Sequence, residues 1–252
     1  MTTALKGQTI LVTGASGGIG AAIVAQLAAE GARVIIHYGR DQAAAERLLD
    51  QIGGRGFVLQ GDLSTPQGPF ELWAQAVTLA GRVDGLVNNA GIRTEISIEA
   101  TPEQWTTAWQ REFQVNFFAA ADLCKEAVRH FKKIGGGRIV NMASRAGQRG
   151  YAADALPYGA TKAALVNLTK SIARSFGPDG VVAVAIAPGW VQTEMAEAFI
   201  ATHGKQAAVA DIPIGEMASP AEVAELVAFI LRKSQASLNG ATLDVNGGSY
   251  IR

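Results

Sequence analysis

Thr13-Gly14-Ala15-Ser16-Gly17-Gly18-Ile19-Gly20 follows the β-branched run Thr9-Ile10-Leu11-Val12 and opens onto an Ala-rich stretch, 19–30. Strand, glycine turn and helix in that order form the first half of a βαβ unit. Glycines allow a tight turn and let the backbone approach a pyrophosphate. The new helix offers that phosphate unpaired N–H groups and the positive end of its dipole. The stretch therefore predicts a dinucleotide-binding turn, with Gly14, Ser16, Gly17, Gly18, Ile19 and Gly20 against the ligand. The same letters also fit Gly-x-Ser-x-Gly, the strand-to-helix elbow that presents a nucleophilic serine in α/β-hydrolases. That chemistry needs a late histidine. The chain has His37 in the second strand, His130 on a helix face and His203, of which only His203 is late. The elbow normally follows several strands, whereas this turn follows the first, so the dinucleotide reading is preferred.

Outward from the turn, short apolar runs alternate with Ala-rich helical stretches. The runs are Arg33-Val34-Ile35-Ile36, Gly56-Phe57-Val58-Leu59, Gly85-Leu86-Val87, Arg138-Ile139-Val140-Asn141, Val181-Val182-Ala183-Val184-Ala185-Ile186 and Ala241-Thr242-Leu243-Asp244-Val245. Continuous apolar character suits strands buried on both faces, hence a parallel sheet covered by helices. Helices are expected at 42–52, 70–80 and 221–231, the last capped by Ser219 with Pro220 in its first turn. The expected fold is α/β, a doubly wound Rossmann-type parallel sheet of about seven strands in one domain, 1–252. Its ligand crevice lies at the carboxyl ends of the strands. The least regular segment, 195–218, sits just past a strand end, so 193–218 is expected to be a lid over that crevice.

Bulk properties narrow the function. The 252 residues carry no formal net charge, so no basic field attracts nucleic acid. No apolar run approaches the roughly 18 residues that span a bilayer, and no signal peptide is evident in residues 1–7. The single cysteine, Cys124, is expected to be a packed core thiol in a cytoplasmic protein. No metal is expected.

At the end of the second strand stand His37-Tyr38-Gly39-Arg40-Asp41. A free ribose 2′-hydroxyl calls for a carboxylate about 20 residues past the glycines. Tyr38 stands there instead, and Arg40 is placed to meet a 2′-phosphate. This favours NADP(H), with NAD(H) also usable. Asp41 suits the N-cap of the following helix. Asp62, after the third strand, is equally suited to bonding an adenine amino group and to capping its own turn.

Tyr158-Gly159-Ala160-Thr161-Lys162 sets Tyr158 and Lys162 at i and i+4, on one helix face. A tyrosine titrates near 10, and bringing it toward neutrality takes roughly 3–4 kcal/mol of differential stabilisation. A nearby ammonium and an oxidised nicotinamide would both supply it. Tyr158 would then donate a proton to a carbonyl, or take one from an alcohol. Ser144, fourteen residues earlier and just past a strand, would hold the substrate oxygen.

These pieces together resemble the short-chain dehydrogenase/reductase family over nearly the whole chain. The resemblance rests on Thr13-Gly14-x-x-x-Gly18-Ile19-Gly20, Asp62, Asn88-Asn89-Ala90-Gly91, Asn116, Ser144, Tyr158-x-x-x-Lys162 and Pro188-Gly189, in order. It implies an oxidoreductase in which Tyr158 is the acid/base and Ser144 orients the carbonyl. Lys162 would bind the nicotinamide ribose and lower the tyrosine, and Asn116 would hold a water in a relay through Lys162. Asn89, Ala90 and Gly91 would line the adenosine side with Asp62 and Leu63. Pro188, Gly189, Val191 and Thr193 would bracket the nicotinamide. Tyr38-Gly39-Arg40 looks like NADP-preferring members, although Gly17 stands where many of those carry a basic residue in the turn. The family commonly forms homotetramers. The general look is of 3-oxoacyl-carrier-protein reductases, with a sugar, sugar-acid or other secondary alcohol open as substrate. Arg93, Arg145 and Arg149 follow strand ends and are candidates for attracting an anionic substrate, against a plainer role as solvated or contact arginines. A cofactor-binding regulator without turnover is the reading from another class. The full Asn116, Ser144, Tyr158 and Lys162 set argues against it.

Overall fold

The computed structural model describes residues 3–252, apart from the side chains of Met195, Ala198 and His203. Seven strands, β1 (Thr9–Val12), β2 (Arg33–Tyr38), β3 (Gly56–Gln60), β4 (Gly85–Asn88), β5 (Gly137–Met142), β6 (Val181–Pro188) and β7 (Thr242–Val245), form one sheet. Their order is β3-β2-β1-β4-β5-β6-β7, and every pairing is parallel. Helices α1 (Gly18–Ala29), α2 (Gln42–Gln51), α3 (Gly68–Ala80), α4 (Pro102–Phe113) and α5 (Ala119–Ile134) fall in the first half. The second half holds α6 (Ala146–Arg149), α7 (Leu156–Phe176), α8 (Glu194–His203), α9 (Lys205–Val209) and α10 (Pro220–Leu231). The order in which the chain adds strands, outward to β3 and then back past β1 to β4, switches between β1 and β4, and the crevice opens there.

Alternation along the strands divides the core. Ile10, Val12, Val34, Ile36, Val87, Val140, Val184 and Ile186 face Ile23, Val24 and Leu27 of α1 and Val227 and Ala228 of α10. On the other face Leu11, Ile35, Leu86, Ile139 and Ala183 sit in one register row, packed on Leu72 and Trp73, Leu123 and Phe131, and Ile172. A strand covered on both sides has no polar position to spare, which is why these runs are continuously apolar.

Local signals act as expected at the caps. The Asp41 side chain accepts from Ala44 N at the start of α2. Ser219 Oγ accepts from Glu222 N at 3.2 Å, and the Glu222 carboxylate accepts in return from Ser219 N. Cys124 is buried, and burial pushes its thiol up to about 12. Segment 195–218 departs from expectation. It is not irregular but folds into α8 and α9, closes at a Val191–Ala218 bridge, and has its own apolar cluster of Ala196, Ala208, Ile212 and Met217. Among the described residues, no helix is long and apolar enough to cross a membrane.

Candidate active site

The residues just past β4 brace the glycine turn. Thr13 Oγ1 accepts from Asn89 N and Ala90 N, both at 3.0 Å, while the Asn89 amide donates to Thr13 O and Gly14 O at 2.9 Å. Gly14 has φ +59°, and a Cβ there would stand 2.8 Å from Ala90 Cα. The N-cap of α1 is Gly17, and no side chain caps it, so the first N–H groups of the helix are left for a ligand. His37 locks the turn from the other side. Its Nδ1 accepts from Gly14 N at 3.0 Å, which leaves the proton on Nε2 to donate to Gly61 O at 3.1 Å.

Burial drives that imidazole down to about 4. The neutral ring is the folded form, so its stabilisation is complete above the ordinary histidine range near 6.5 and drains away as pH falls toward 4. Urea unfolding should show stability dropping by about 3 kcal/mol across that window. His37→Gln should flatten the slope; an unchanged slope would refute the assignment.

A cleft of about 900 Å³ runs from this turn along the strand ends, at the upper end of ligand-pocket sizes. Arg40, Asp62 and Leu63 line one end, with Gly14, Ser16, Gly17, Gly18, Ile19, Gly20, Asn89, Ala90 and Gly91 along the middle. Ser144, Tyr158, Lys162, Pro188, Gly189, Val191 and Thr193 line the other end. Two expected residues are elsewhere. Tyr38 is 7% exposed and packs into the α1 side of the core, because strand alternation turns His37, not Tyr38, toward the cleft end. Asn116 is buried behind the cleft wall. Asp62 is at the cleft, but its Oδ1 accepts from Ser64 N and Ser64 Oγ, and these bonds hold its carboxyl below the usual range. It therefore caps its own turn.

At the far end, β5 and α7 meet. Arg145 N donates to Pro188 O at 2.9 Å, and Ser144 Oγ accepts from Ala146 N at 3.1 Å. The serine hydroxyl donates to Pro188 O at 3.5 Å. Lys162 Nζ donates to Met142 O at 2.7 Å and lies 5.6 Å from the Tyr158 ring centre. Burial pulls this ammonium down to about 8, against the opposing charge of Glu112. Burial also pushes Tyr158 up to about 12, and the neighbouring Ser144 hydroxyl offsets this only in part. The expected lowering of the tyrosine by Lys162 is thus not achieved by the protein's own groups. The phenol therefore keeps its proton across the neutral range, the form that can give one to a carbonyl oxygen.

Asn116 stands in a π-helical stretch, Gln114–Phe118, between α4 and α5. Its amide is spent on the backbone of Ile92, accepting from N at 2.8 Å and donating to O at 2.9 Å. It braces the loop after Gly91 instead of offering its side chain to a water, and the helix irregularity is present as well. The site also holds groups that spacing did not single out. Glu112 is fully buried beside Asn116. The Tyr151 ring lies tilted against that of Tyr158, 5.5 Å between centres, with Arg93 over the Tyr151 ring. The i, i+4 relation of Glu112 to Asn116 was the one available sign. Arg145 is buried and Arg149 is exposed, and both pair with Asp211 of the segment after α9, at 3.1 and 2.8 Å.

Neither His37 nor His130 supports an elbow serine. His37 has both nitrogens occupied, and His130 Nε2 accepts from Val83 N. The side chain of His203 lies outside the described residues.

The family model of the short chain dehydrogenases matches residues 8–204. The chain belongs to that family. It is therefore an oxidoreductase, and its similarity to curated members runs end to end. A 3-oxoacyl-[acyl-carrier-protein] reductase of Vibrio cholerae is 36% identical over 249 residues, covering 98% of this chain and 99% of that one. The enzyme of the same name from Escherichia coli is 34% identical, with 98% of each chain covered. That of Staphylococcus aureus is 31% identical, covering 97% of this chain and 98% of its own. For a short chain dehydrogenase the strand order and the convergence of Ser144, Tyr158 and Lys162 on one cleft form a consistent whole.

Proposed function

We propose that the protein is an NADP(H)-preferring carbonyl reductase that acts on a 3-oxoacyl thioester, with Tyr158 as general acid. The observation that carries this reading is one cleft with Arg40 at one end and the Ser144, Tyr158 and Lys162 cluster at the other. The residues fit a dinucleotide: an uncapped helix start over a turn whose Gly14 admits no Cβ, an arginine for a 2′-phosphate, and a buried ammonium for ribose hydroxyls. When bound, the nicotinamide supplies the hydride. Ser144 and Tyr158 hold the carbonyl oxygen, and Tyr158 gives it the proton. Lys162 orients the ribose beneath them. Pro188, Gly189, Val191 and Thr193 bracket the nicotinamide, and Asn89, Ala90, Gly91 and Leu63 line the adenosine side. Asn116 acts as a brace for the Gly91 loop.

A sugar acid or other anionic alcohol is the second reading. Arg93 favours it, since it lines the cleft over the Tyr151 ring, paired on its outer side with Glu95. Residues 193–218 serve as the substrate lid, held by the ion-pair fork of Arg145 and Arg149 on Asp211. A homotetramer in the cytoplasm completes the reading. An aromatic ladder of Trp105, Trp109, Phe113 and Phe117 on α4 and the π-helical stretch, with Phe118 49% exposed, is the kind of surface that association covers.

Steady-state assays of 3-oxoacyl thioesters, sugar acids and neutral ketones with both cofactors test the function. NADPH oxidation on the thioester should exceed that on the others, and no turnover on any carbonyl would sink the proposal. Arg40→Ala should lower the NADPH-to-NADH ratio of kcat/KM by about 10- to 100-fold, the value of one charge-assisted phosphate contact. An unchanged ratio would remove Arg40 from cofactor choice.

A further inference from the structure

Glu112 is a carboxylate with no solvent exposure, on the last turn of α4 and one turn ahead of Asn116. Taking a carboxylate fully out of water costs several kcal/mol unless partners compensate. Its partners are specific. Oε2 accepts from Thr94 N at 2.9 Å, and Oε1 accepts from the Asn116 amide at 3.4 Å, an amide that also reaches Thr161 Oγ1 and Ile92 O. Thr94 belongs to the loop after Gly91, and Thr161 is the neighbour of Lys162 on α7. One carboxylate thus ties together α4, the Gly91 loop and the helix that carries the catalytic pair.

The charges around it are few and opposed. Lys162 and Arg93 are the cations whose fields reach Glu112. Arg93 is further engaged by Glu95 and Asp154 on the outer side and lies over the Tyr151 ring. Lys162 meets a phenol on its own helix, Tyr158, and on the β5 side only the neutral Met142 carbonyl. The ammonium stands close to the Glu112–Asn116 pair, since a Cβ on Gly91 would lie 3.3 Å from Asn116 Oδ1 and 3.4 Å from Lys162 Nζ, and among these groups Glu112 is the one anion acting on it.

We infer that Glu112 is a positioning residue that keeps Lys162 charged at working pH while fixing the Gly91 loop through Thr94 and Asn116. The inference rests on the reductase reading only for what Lys162 does; the charge coupling itself stands apart from turnover. Direction follows from sign. An anion beside a buried ammonium favours the charged form, so neutralising it lets Lys162 lose its proton at lower pH. The raised carboxyl of Glu112 and the lowered ammonium of Lys162 both reflect burial, and each group draws the other back toward its ordinary value.

Glu112→Gln preserves size and the acceptor for Thr94 N while removing the charge. In protein labelled with 13Cε-lysine, the Lys162 resonance, assigned by its loss in Lys162→Met, should titrate about one pH unit lower in Glu112→Gln than in the parent. The alkaline limb of NADPH affinity should move by the same amount. Glu112→Asp, which keeps the charge on a shorter arm, should return the titration toward the parent value even where it lowers Tm. Should Glu112→Gln not fold, the parent still decides. Its Lys162 resonance should show a second, smaller inflection at acid pH as Glu112 protonates. A Lys162 titration that Glu112→Gln leaves in place, or a parent titration with no acid inflection, overturns the inference. Neither result depends on turnover. An enzyme that reduces no carbonyl but shows the shifted lysine would refute the functional reading and leave this one intact.

Discussion

Tyr158→Phe is expected to fold, to bind NADPH as the parent does, and to reduce carbonyls about 100- to 10,000-fold more slowly. The change removes one oxygen. Ser144 keeps its bonds to Ala146 N and Pro188 O, and Lys162 keeps its bond to Met142 O, so the scaffold does not need the phenol. The proton has no other donor at that position, because Lys162 is turned to the β5 end. The pH profiles of the parent should carry the same signature. With the phenol pushed up to about 12, the acid form persists through the alkaline range, so reduction is limited at high pH by loss of the Lys162 charge near 8. Alcohol oxidation needs the phenolate and should keep climbing over that range. Stopped-flow measurement of both directions against pH, with kcat and the cofactor Kd of Tyr158→Phe, checks this. Undiminished turnover in the variant would remove Tyr158 from the chemistry.

Gly20→Ala should be the most damaging small substitution in the turn. The added Cβ would stand 2.3 Å from Gly14 O, 2.8 Å from the Asn89 amide nitrogen and 2.9 Å from Ala15 Cα. Two of the three are backbone, so no side-chain rotation relieves the contact. The turn must open, at about 1–3 kcal/mol of stability. The helix N–H groups then retreat from the phosphate. Losing two charged hydrogen bonds, at about 1.5–3 kcal/mol each, weakens NADPH binding by about 100-fold or more. Gly17→Ala is the control. Gly17 is extended at φ −164° and has open space where its Cβ would go, so that variant should keep the parent Tm. Calorimetry and fluorescence titration of the two proteins decide the matter; equal affinities would deny the turn its role.

The strands and their order of burial were open to inspection because a sheet covered on both faces leaves few polar letters in its strands. Tyr38 shows where such inspection stops. Spacing finds the end of β2, but which of two adjacent residues faces the cleft depends on register against β1, and His37 takes that side. Segment 195–218 hid its helices because α8 and α9 pack on a small cluster of their own, with no long apolar stripe. Asn116 was found by resemblance, yet its amide is directed at Ile92, a contact that exists only once the Gly91 loop folds back. Glu112 was passed over because a glutamate in a helix ordinarily faces water. Only the fold brings Thr94 and Lys162 around it.

The Met142 carbonyl, which receives the Lys162 ammonium, closes β5 two residues before Ser144. Met142 pairs with Ile186, and Arg145 N is tied to Pro188 on the same neighbouring strand. One strand end is thus the common ruler from which polarising hydroxyl, ammonium and phenol are all measured. A slip of β5 by a single residue would reverse the faces of Ser144 and Met142 and disperse the three groups together. Correct pairing in the middle of the sheet and competence for chemistry therefore arise as a single event, and a mispaired chain has no partly working site to fall back on.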